Sequence, residues 1–342
     1  MTSRTDEIPS PNLGPPPHPR PLSPGGERGA IRVFVYEHIS AGGMGPDVPA
    51  SLLREGRAMF GAVCADFRRL PGIEVVTPSN SMSFEACATS CDWTLVIAPE
   101  FDDVLRDLSR TVLDVGGRLL GSQPGAIELT ADKLALANFW HMRGVAHPAT
   151  AWIEAPLNHA PPWVVKPRQG AGSQATFVIR DVTAWPRVVA EARREWPGGE
   201  LIQQTYIEGE AASVALLVGA NQVVPLLPGR QHLSRDDRLH YEGGSLPLPR
   251  PLAGRALRVA TEAVRGIDGL RGYIGVDLVL SDDGHCVIEI NPRLTTSYLG
   301  LRQLCRGNLA ELMLRCARGD DLDAPQWEDR ELRFAACGVA DD

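Results

Sequence analysis

The sequence predicts an α/β protein, with a parallel, doubly wound sheet first and antiparallel hairpins behind it. Three observations carry this. Short β-rich runs alternate with helical patterns over residues 31–122, the order that builds βαβ units. From residue 130 onward, glycine loops and hairpin turns replace that alternation. Near the end, two apolar strands carry Asp277, Glu289 and Asn291, where core strands ordinarily carry only Val, Leu and Ile.

Length and composition bound the classes. A chain of 342 residues can hold two or three compact units. Its 44% apolar and 22% charged content is that of a globular protein. The net charge of −8 gives no support for a nucleic-acid surface. No apolar run approaches the roughly 20 residues that span a bilayer, so a cytoplasmic protein with no membrane partner is expected. The seven cysteines are scattered, and Cys87 and Cys91 lack a partner cluster at zinc spacing. They read as reduced thiols. Residues 1–30 are rich in Pro, Gly and Ser with almost no large apolar side chains. Such a segment cannot offset its ordering entropy and is expected to be a disordered extension. It also lacks the apolar stretch of a signal peptide.

Residues 31–36 form the first expected strand, ending in the glycine loop 42–45, where a backbone can approach a ligand closely. A helix over 50–69 follows, with Ser51 as N-cap and Leu52, Leu53, Met59, Val63 and Phe67 on its apolar face. Strands are expected at 73–76 and 93–98, a helix at 103–115 and a fourth strand at 118–122. In such a sheet, ligands bind beyond the carboxyl ends of the strands. That rule points at loop 42–45 and at Glu100. A simple tight turn is the plainer reading of the glycines.

The middle of the chain reads differently. Thr130 is the expected N-cap of a helix reaching His141, with Lys133 in its first turn. A lysine there opposes the helix dipole, and a bound anion would relieve the conflict. Strand 163–168 carries Lys166, followed by Gly170, Gly172 and Ser173 and a strand over 175–179. A glycine loop between antiparallel strands can cover phosphates with backbone N–H groups, and Lys166 can reach the same phosphates. The pattern matches neither the Walker nor the Rossmann fingerprint. A hairpin with a solvated lysine is the plainer alternative. Residues 201–210 read as a strand running into a turn, and a purine could lie across Gln204, Tyr206 and Ile207, with Glu210 or Glu208 near the ribose. Strands are expected at 212–218 and 223–227. A long polar loop over 232–244 then holds His232, Arg238, His240 and Tyr241, and reads as a lid or binding loop. His232 and His240 could be acid–base groups, but surface histidines are commoner.

Two further strands, 272–280 and 287–291, meet through an expected hairpin turn at 281–284. Glu289 and Asn291 are two residues apart and share a face, and the hairpin can set Asp277 beside them. Three oxygen ligands suit Mg²⁺ (or Mn²⁺) carrying nucleotide phosphates. Solvated strand positions are the plainer reading, but these acids sit among Val, Leu and Ile. Arg293, two residues past Asn291, can stay on the same side and grip a carboxylate or phosphate with both prongs.

Taken in order, Lys133, Lys166 with its glycine loop, strand and turn 203–210, and the Asp277/Glu289/Asn291 set resemble the ATP-grasp enzymes from about residue 31 to 315. The resemblance implies an ATP-grasp fold: an N-terminal parallel α/β domain over 31–128, a small lobe over 129–198, a C-terminal lobe over 199–320 and a tail to 342. It implies that Lys133, Lys166, Gly170, Gly172 and Ser173 hold ATP phosphates and that Gln204, Tyr206 and Ile207 hold adenine. It further implies that Asp277, Glu289 and Asn291 hold Mg²⁺, with Lys166 and Arg293 serving catalysis. The family's ribose acid would fall at Ala211, so Glu210 or Glu208 must substitute. Segments 34–43, 51–59, 241–244 and 291–297 are similar to the tyramine–glutamate ligases of methanofuran biosynthesis. That similarity implies a ligase of one-carbon metabolism that releases ADP and phosphate. Its expected substrates are an amino acid and an amine, namely the side-chain carboxylate of L-glutamate and tyramine or a related aryl-ethylamine. A homodimer is compatible with it. Another acid–amine pair, or a small-molecule kinase on the same scaffold, is the alternative.

Overall fold

The computed structural model describes residues 29–79, 81–155, 157–281 and 284–337. The proline-rich segment 1–28, the tip of the turn at 281–284 and residues 338–342 lie outside the described residues.

β1 (Ile31–Glu37), β2 (Ile73–Val76) and β3 (Trp93–Ile97) form a parallel sheet in the order β2-β1-β3. Helices α1 (Ala50–Arg68), α2 (Phe84–Ser90) and α3 (Val104–Asp114) flank it. Val33 and Val35 face α1, while Phe34 packs with α2 and α3. The expected fourth strand does not form. Only Leu119 bridges to Thr94. The hydrogen bonds of the next residues go instead to the C-terminal lobe: Ser122 Oγ donates to Arg271 O at 3.0 Å and Gln123 N to Gly269 O at 2.8 Å. Ser51 is not the cap of α1 either. Pro49 occupies that position, with its ring-restricted φ of −55°, and Ser51 lies inside the first turn.

Helices α4 (Pro124–Ala131) and α5 (Lys133–Met142) lead out of this unit. The cap of α5 is Asp132, whose Oδ1 accepts from Leu134 N at 3.1 Å and Ala135 N at 3.0 Å. Thr130 lies in the last turn of α4 and turns its hydroxyl back to Ala126 O at 2.8 Å, so a preceding helix displaces the expected cap. β4 (Thr150–Trp152), β5 (Trp163–Pro167), β6 (Phe177–Ile179) and β7 (Leu201–Thr205) then form an antiparallel sheet in the order β4-β7-β5-β6. Helix α6 (Trp185–Glu195) covers one face, with Val188 and Ala192 against Val165, Ile179 and Leu201.

The third sheet has seven strands: β8 (Glu210–Val218), β9 (Val223–Pro225), β10 (Gly229–Leu233), β11 (Tyr241–Leu246), β12 (Gly272–Leu280), β13 (His285–Asn291) and β14 (Leu332–Ala335). Their order is β13-β12-β8-β10-β11-β14, with β9 on β8. The expected long loop 232–244 is mostly a hairpin, because β10 pairs with β11 and only residues 234–240 lie between. Its glycines are there for close approach: a Cβ on Gly243 would stand 2.2 Å from Phe334 O of β14. Helix α7 (Arg250–Val264) packs on the face that carries Val214, Leu216, Ile274 and Val276. The opposite face carries Ala215, Leu217 and Tyr273 and meets α8 (Ser297–Leu304), α9 (Leu309–Arg318) and α1 in one shared core. By strand alternation Asp277 lies on that second face, which turns the acid cluster toward the N-terminal unit. Among the described residues no helix is long and apolar enough to cross a membrane.

Candidate active site

Asp277 and Glu289 are direct cross-strand partners, and Asn291 pairs with Gly275 two positions away. Asn291 Nδ2 donates to Asp277 Oδ2 at 3.2 Å. Gln231 of β10 donates to Asp277 Oδ1 at 2.9 Å. The sequence reading missed Gln231, whose only signal is its place on a strand beside β8. Like charges directly opposite on a sheet are costly. Burial and then the Glu289 charge push the Asp277 carboxyl well above its usual range. Glu289 moves the other way: burial works against it, but Lys133 and Lys166 outweigh burial and lower it.

Both lysines are buried, at 9% and 7% exposure. Lys133 Nζ lies 3.8 Å from Glu289 and donates to Gly170 O at 2.9 Å. Val165 packs under α6, so the next residue, Lys166, points across to the large sheet. Burial drives its ammonium down to about 8, against the pull of Glu289. Asp132 and Arg168 tie the two lysines' elements together. Arg168 Nε donates to Asp132 Oδ1 at 2.8 Å, and Lys133 N donates to Arg168 O at 3.1 Å. The loop between β5 and β6 carries Gly170, Gly172 at φ 68° and Ser173 at φ 58°. Ser173 Oγ is bonded to Leu239 O at 2.7 Å.

The expected adenine-side residues line the end of β7. Gln204 is buried, and its amide donates to Thr150 Oγ1 at 2.8 Å. Tyr206 N donates to Pro162 O at 3.1 Å, with the Arg180 guanidinium 5.3 Å from the Tyr206 ring. Ile207 is half-buried, and Glu208 is exposed. The Glu210 carboxylate is ion-paired with Arg230.

Arg293 joins the two units. Its Nε and Nη2 donate to Glu100 Oε1 and Oε2 at 2.9 and 3.0 Å, across 193 residues of chain. Glu100 lies just past the carboxyl end of β3, so the sheet-crevice rule and the acid cluster converge on one ion pair. Glu55 of α1 stands near by. Burial pushes its carboxyl up while Arg293 and Arg54 pull it down, and it makes no hydrogen bond or ion pair among the described residues. Burial also raises the Tyr241 hydroxyl. Loop 42–45 leaves the end of β1, where the buried Glu37 carboxylate accepts from Ile39 N at 3.1 Å and Ser40 N at 2.6 Å. Half-buried Tyr36 packs edge-on to Phe84 at 4.9 Å and to His38 at 6.2 Å. His232 sits beside Arg230 and Arg333, and burial holds it down. His240 is exposed.

Comparison with known proteins gives the same outline. An ATP-grasp domain family matches residues 130–297, and a pre ATP-grasp domain family matches residues 73–127. A tyramine–L-glutamate ligase from Methanocaldococcus jannaschii is 29% identical over 319 residues, covering 85% of this chain and 90% of that one. A crystal structure assigned to the ATP-grasp superfamily, from Archaeoglobus fulgidus, superposes with a TM-score of 0.69 at 27% identity, covering 90% of this chain and 92% of that one. An N5-carboxyaminoimidazole synthetase from Staphylococcus aureus, complexed with ADP, shares the fold at a TM-score of 0.64 and 14% identity, covering 88% and 80% of the two chains. With its fold, its paired lysines and its acid cluster arranged in this way, the chain belongs to the ATP-grasp superfamily.

Proposed function

We propose that this protein is an ATP-dependent ligase that joins the side-chain carboxylate of L-glutamate to tyramine or a closely related aryl-ethylamine, in methanofuran-type cofactor biosynthesis. The carboxylate–amine ligase class is that of the relatives it resembles along nearly all of its length. The single observation that supports the chemistry is the facing of two buried lysines and two carboxylates across the gap between the small and large sheets.

The donor set fits a divalent cation. Two carboxylates and an amide oxygen share one sheet face, and the like charges of Asp277 and Glu289 would be relieved by a dication. Asp277, Glu289 and Asn291 would hold Mg²⁺ (Mn²⁺ suits the same donors), which would neutralise charge on the polyphosphate. Lys133 and Lys166 would bind the phosphates, and loop 170–173 would cover them with its N–H groups. Gln204, Tyr206 and Ile207 would border adenine. Glu210 would meet the ribose from its pairing with Arg230.

A glutamate side-chain oxygen would attack the γ-phosphorus of ATP, releasing ADP and leaving an acyl phosphate. The amine nitrogen would then attack the acyl carbon, lose its proton and expel phosphate. Catalysis here is positioning and charge neutralisation. Arg293, fixed by Glu100, would orient the reacting carboxylate. In the crevice beyond β1 and β3, Tyr36, His38 and Phe84 offer ring faces for an aryl group, and the unpaired Glu55 carboxylate suits an ammonium.

Purified protein given ATP, Mg²⁺, L-glutamate and tyramine should form ADP, phosphate and a γ-glutamyl amide seen by mass. Robust ADP release with a different acid–amine pair would remove the substrate assignment and keep the class. ADP release with an alcohol acceptor would make it a kinase.

A further inference from the structure

Residues 234–240, the tip of the β10–β11 hairpin, leave the seven-stranded sheet and end on the small one. Val178 N donates to Asp237 O at 2.8 Å, on the edge of β6 that β5 leaves free. Arg180 Nε donates to the Asp237 carboxylate at 3.0 Å. Arg238 makes the densest set of contacts. Its guanidinium holds both oxygens of Glu195 at 3.1 and 2.6 Å, its Nε donates to Thr176 O at 3.1 Å, and its plane lies 4.0 Å over the Phe177 ring. Leu239 O takes the hydroxyl of Ser173, in the glycine loop, at 2.7 Å. Asp237 and Leu239 adopt φ of 60° and 54°. Non-glycine residues persist there when surrounding contacts over-determine them. At its other end the same hairpin donates Gln231 to Asp277. One hairpin therefore touches the glycine loop at its tip and the acid cluster at its base.

We propose that this hairpin is a clasp that sets loop 170–173 over the phosphates of ATP, with Arg238 and Glu195 as its positioning residues. The proposal rests on the reading of that loop as the phosphate cover. The Arg238 guanidinium is taken up by protein partners. In the core of the small lobe it covers Phe177, while Val165, Ile179, Val188 and Leu201 pack on one another. Its effect is on the fraction of molecules whose loop is in place. Apparent affinity falls in proportion to that fraction, so a loop in place about a tenth of the time binds roughly tenfold more weakly. Arginine suits the task because only its planar fork can grip a carboxylate with two bonds while stacking on a ring.

The test is the ratio of ATP to AMP affinity, measured by calorimetry on the full chain. AMP ends short of the loop, so the clasp predicts a loss for ATP alone. Arg238→Ala should weaken ATP binding by roughly tenfold while AMP binding stays within about twofold. An unchanged ratio in folded Arg238→Ala overturns the clasp. If that variant does not fold, Arg238→Lys decides by the same ratio, since lysine keeps the charge and loses the fork. Gly172→Val, which disturbs the loop directly at its positive φ, separates the two readings. A fall in the ratio there but not in Arg238→Ala ends the clasp alone. No fall in either ends the phosphate-cover reading and the clasp with it.

Discussion

Two of the carboxylate clusters among the described residues, one around buried Asp66 and one around half-buried Asp277 and Glu289, hold their charge in opposite ways. Asp66 on α1 is closed. Arg302 donates to its two oxygens at 2.6 and 2.9 Å, the Tyr298 hydroxyl donates at 2.7 Å, and Asn308 bonds its backbone carbonyl at 2.8 Å. Nothing is left over for a ligand, and the cluster locks α1 onto α8. The Asp277/Glu289 cluster is open. Its two carboxylates face each other, its nearer lysine stands 3.8 Å off, and Asp277 is pushed far above its usual range. A fold does not build such an arrangement for stability, because like charges directly opposite each other on a sheet are costly. The difference teaches how to tell a structural ion cluster from a site awaiting charged ligands.

Substitutions should divide along the same line. The largest effect is expected at the open cluster: Glu289→Gln and Asp277→Asn should each lower turnover on the order of a thousandfold. Asp277→Asn should leave the melting temperature unchanged or raised, since it relieves a like-charge conflict, whereas Glu289→Gln should lower it, since Lys133 and Lys166 lose their counter-charge. Near wild-type rates at ordinary Mg²⁺ would return these acids to plain strand positions. Arg293→Lys comes next, at about a hundredfold in saturated rate with little change in ATP affinity, because lysine cannot hold the two-pronged geometry. Weakened ATP binding at an unchanged saturated rate would move Arg293 to the nucleotide. Omitting the divalent cation should silence the wild type and leave its melting curve in place, since both lysines still face the acids. Asp66→Asn should do the reverse of Asp277→Asn. It should cost about 3 kcal/mol of stability by urea titration, while the folded fraction keeps its turnover. A rate loss there without a stability loss would erase the contrast between the clusters.

Much of the open cluster was legible in the sequence because it is local. Asp277, Glu289 and Asn291 lie on one hairpin, where period-two alternation alone puts them on one face. Lys166 and its glycine loop are adjacent in the chain for the same reason. What was not legible depends on distant partners. Gln231 reaches Asp277 from 46 residues away, and Glu100 reaches Arg293 from 193. The missing fourth strand is the same failure: 118–122 has strand composition, but the bonds of Ser122 and Gln123 belong to residues 269–271. The 232–244 segment misled through composition. Its polar residues suggested a loop, whereas Gly243 and Gly244 let three strands pack closely. Caps failed by a residue or two, because Asp132 offers a better acceptor to the N–H groups of α5 than Thr130 does.

The central claim, that a carboxylate is activated by ATP before an amine attacks it, is tested most directly by following oxygen. Glutamate carrying heavy oxygen in its side-chain carboxylate is turned over with ATP, Mg²⁺ and tyramine, and the released phosphate is weighed. The account predicts one heavy oxygen per phosphate, carried over from the acyl phosphate, with ADP as the other product. Unlabelled phosphate, or labelled AMP with pyrophosphate in place of ADP, would contradict it.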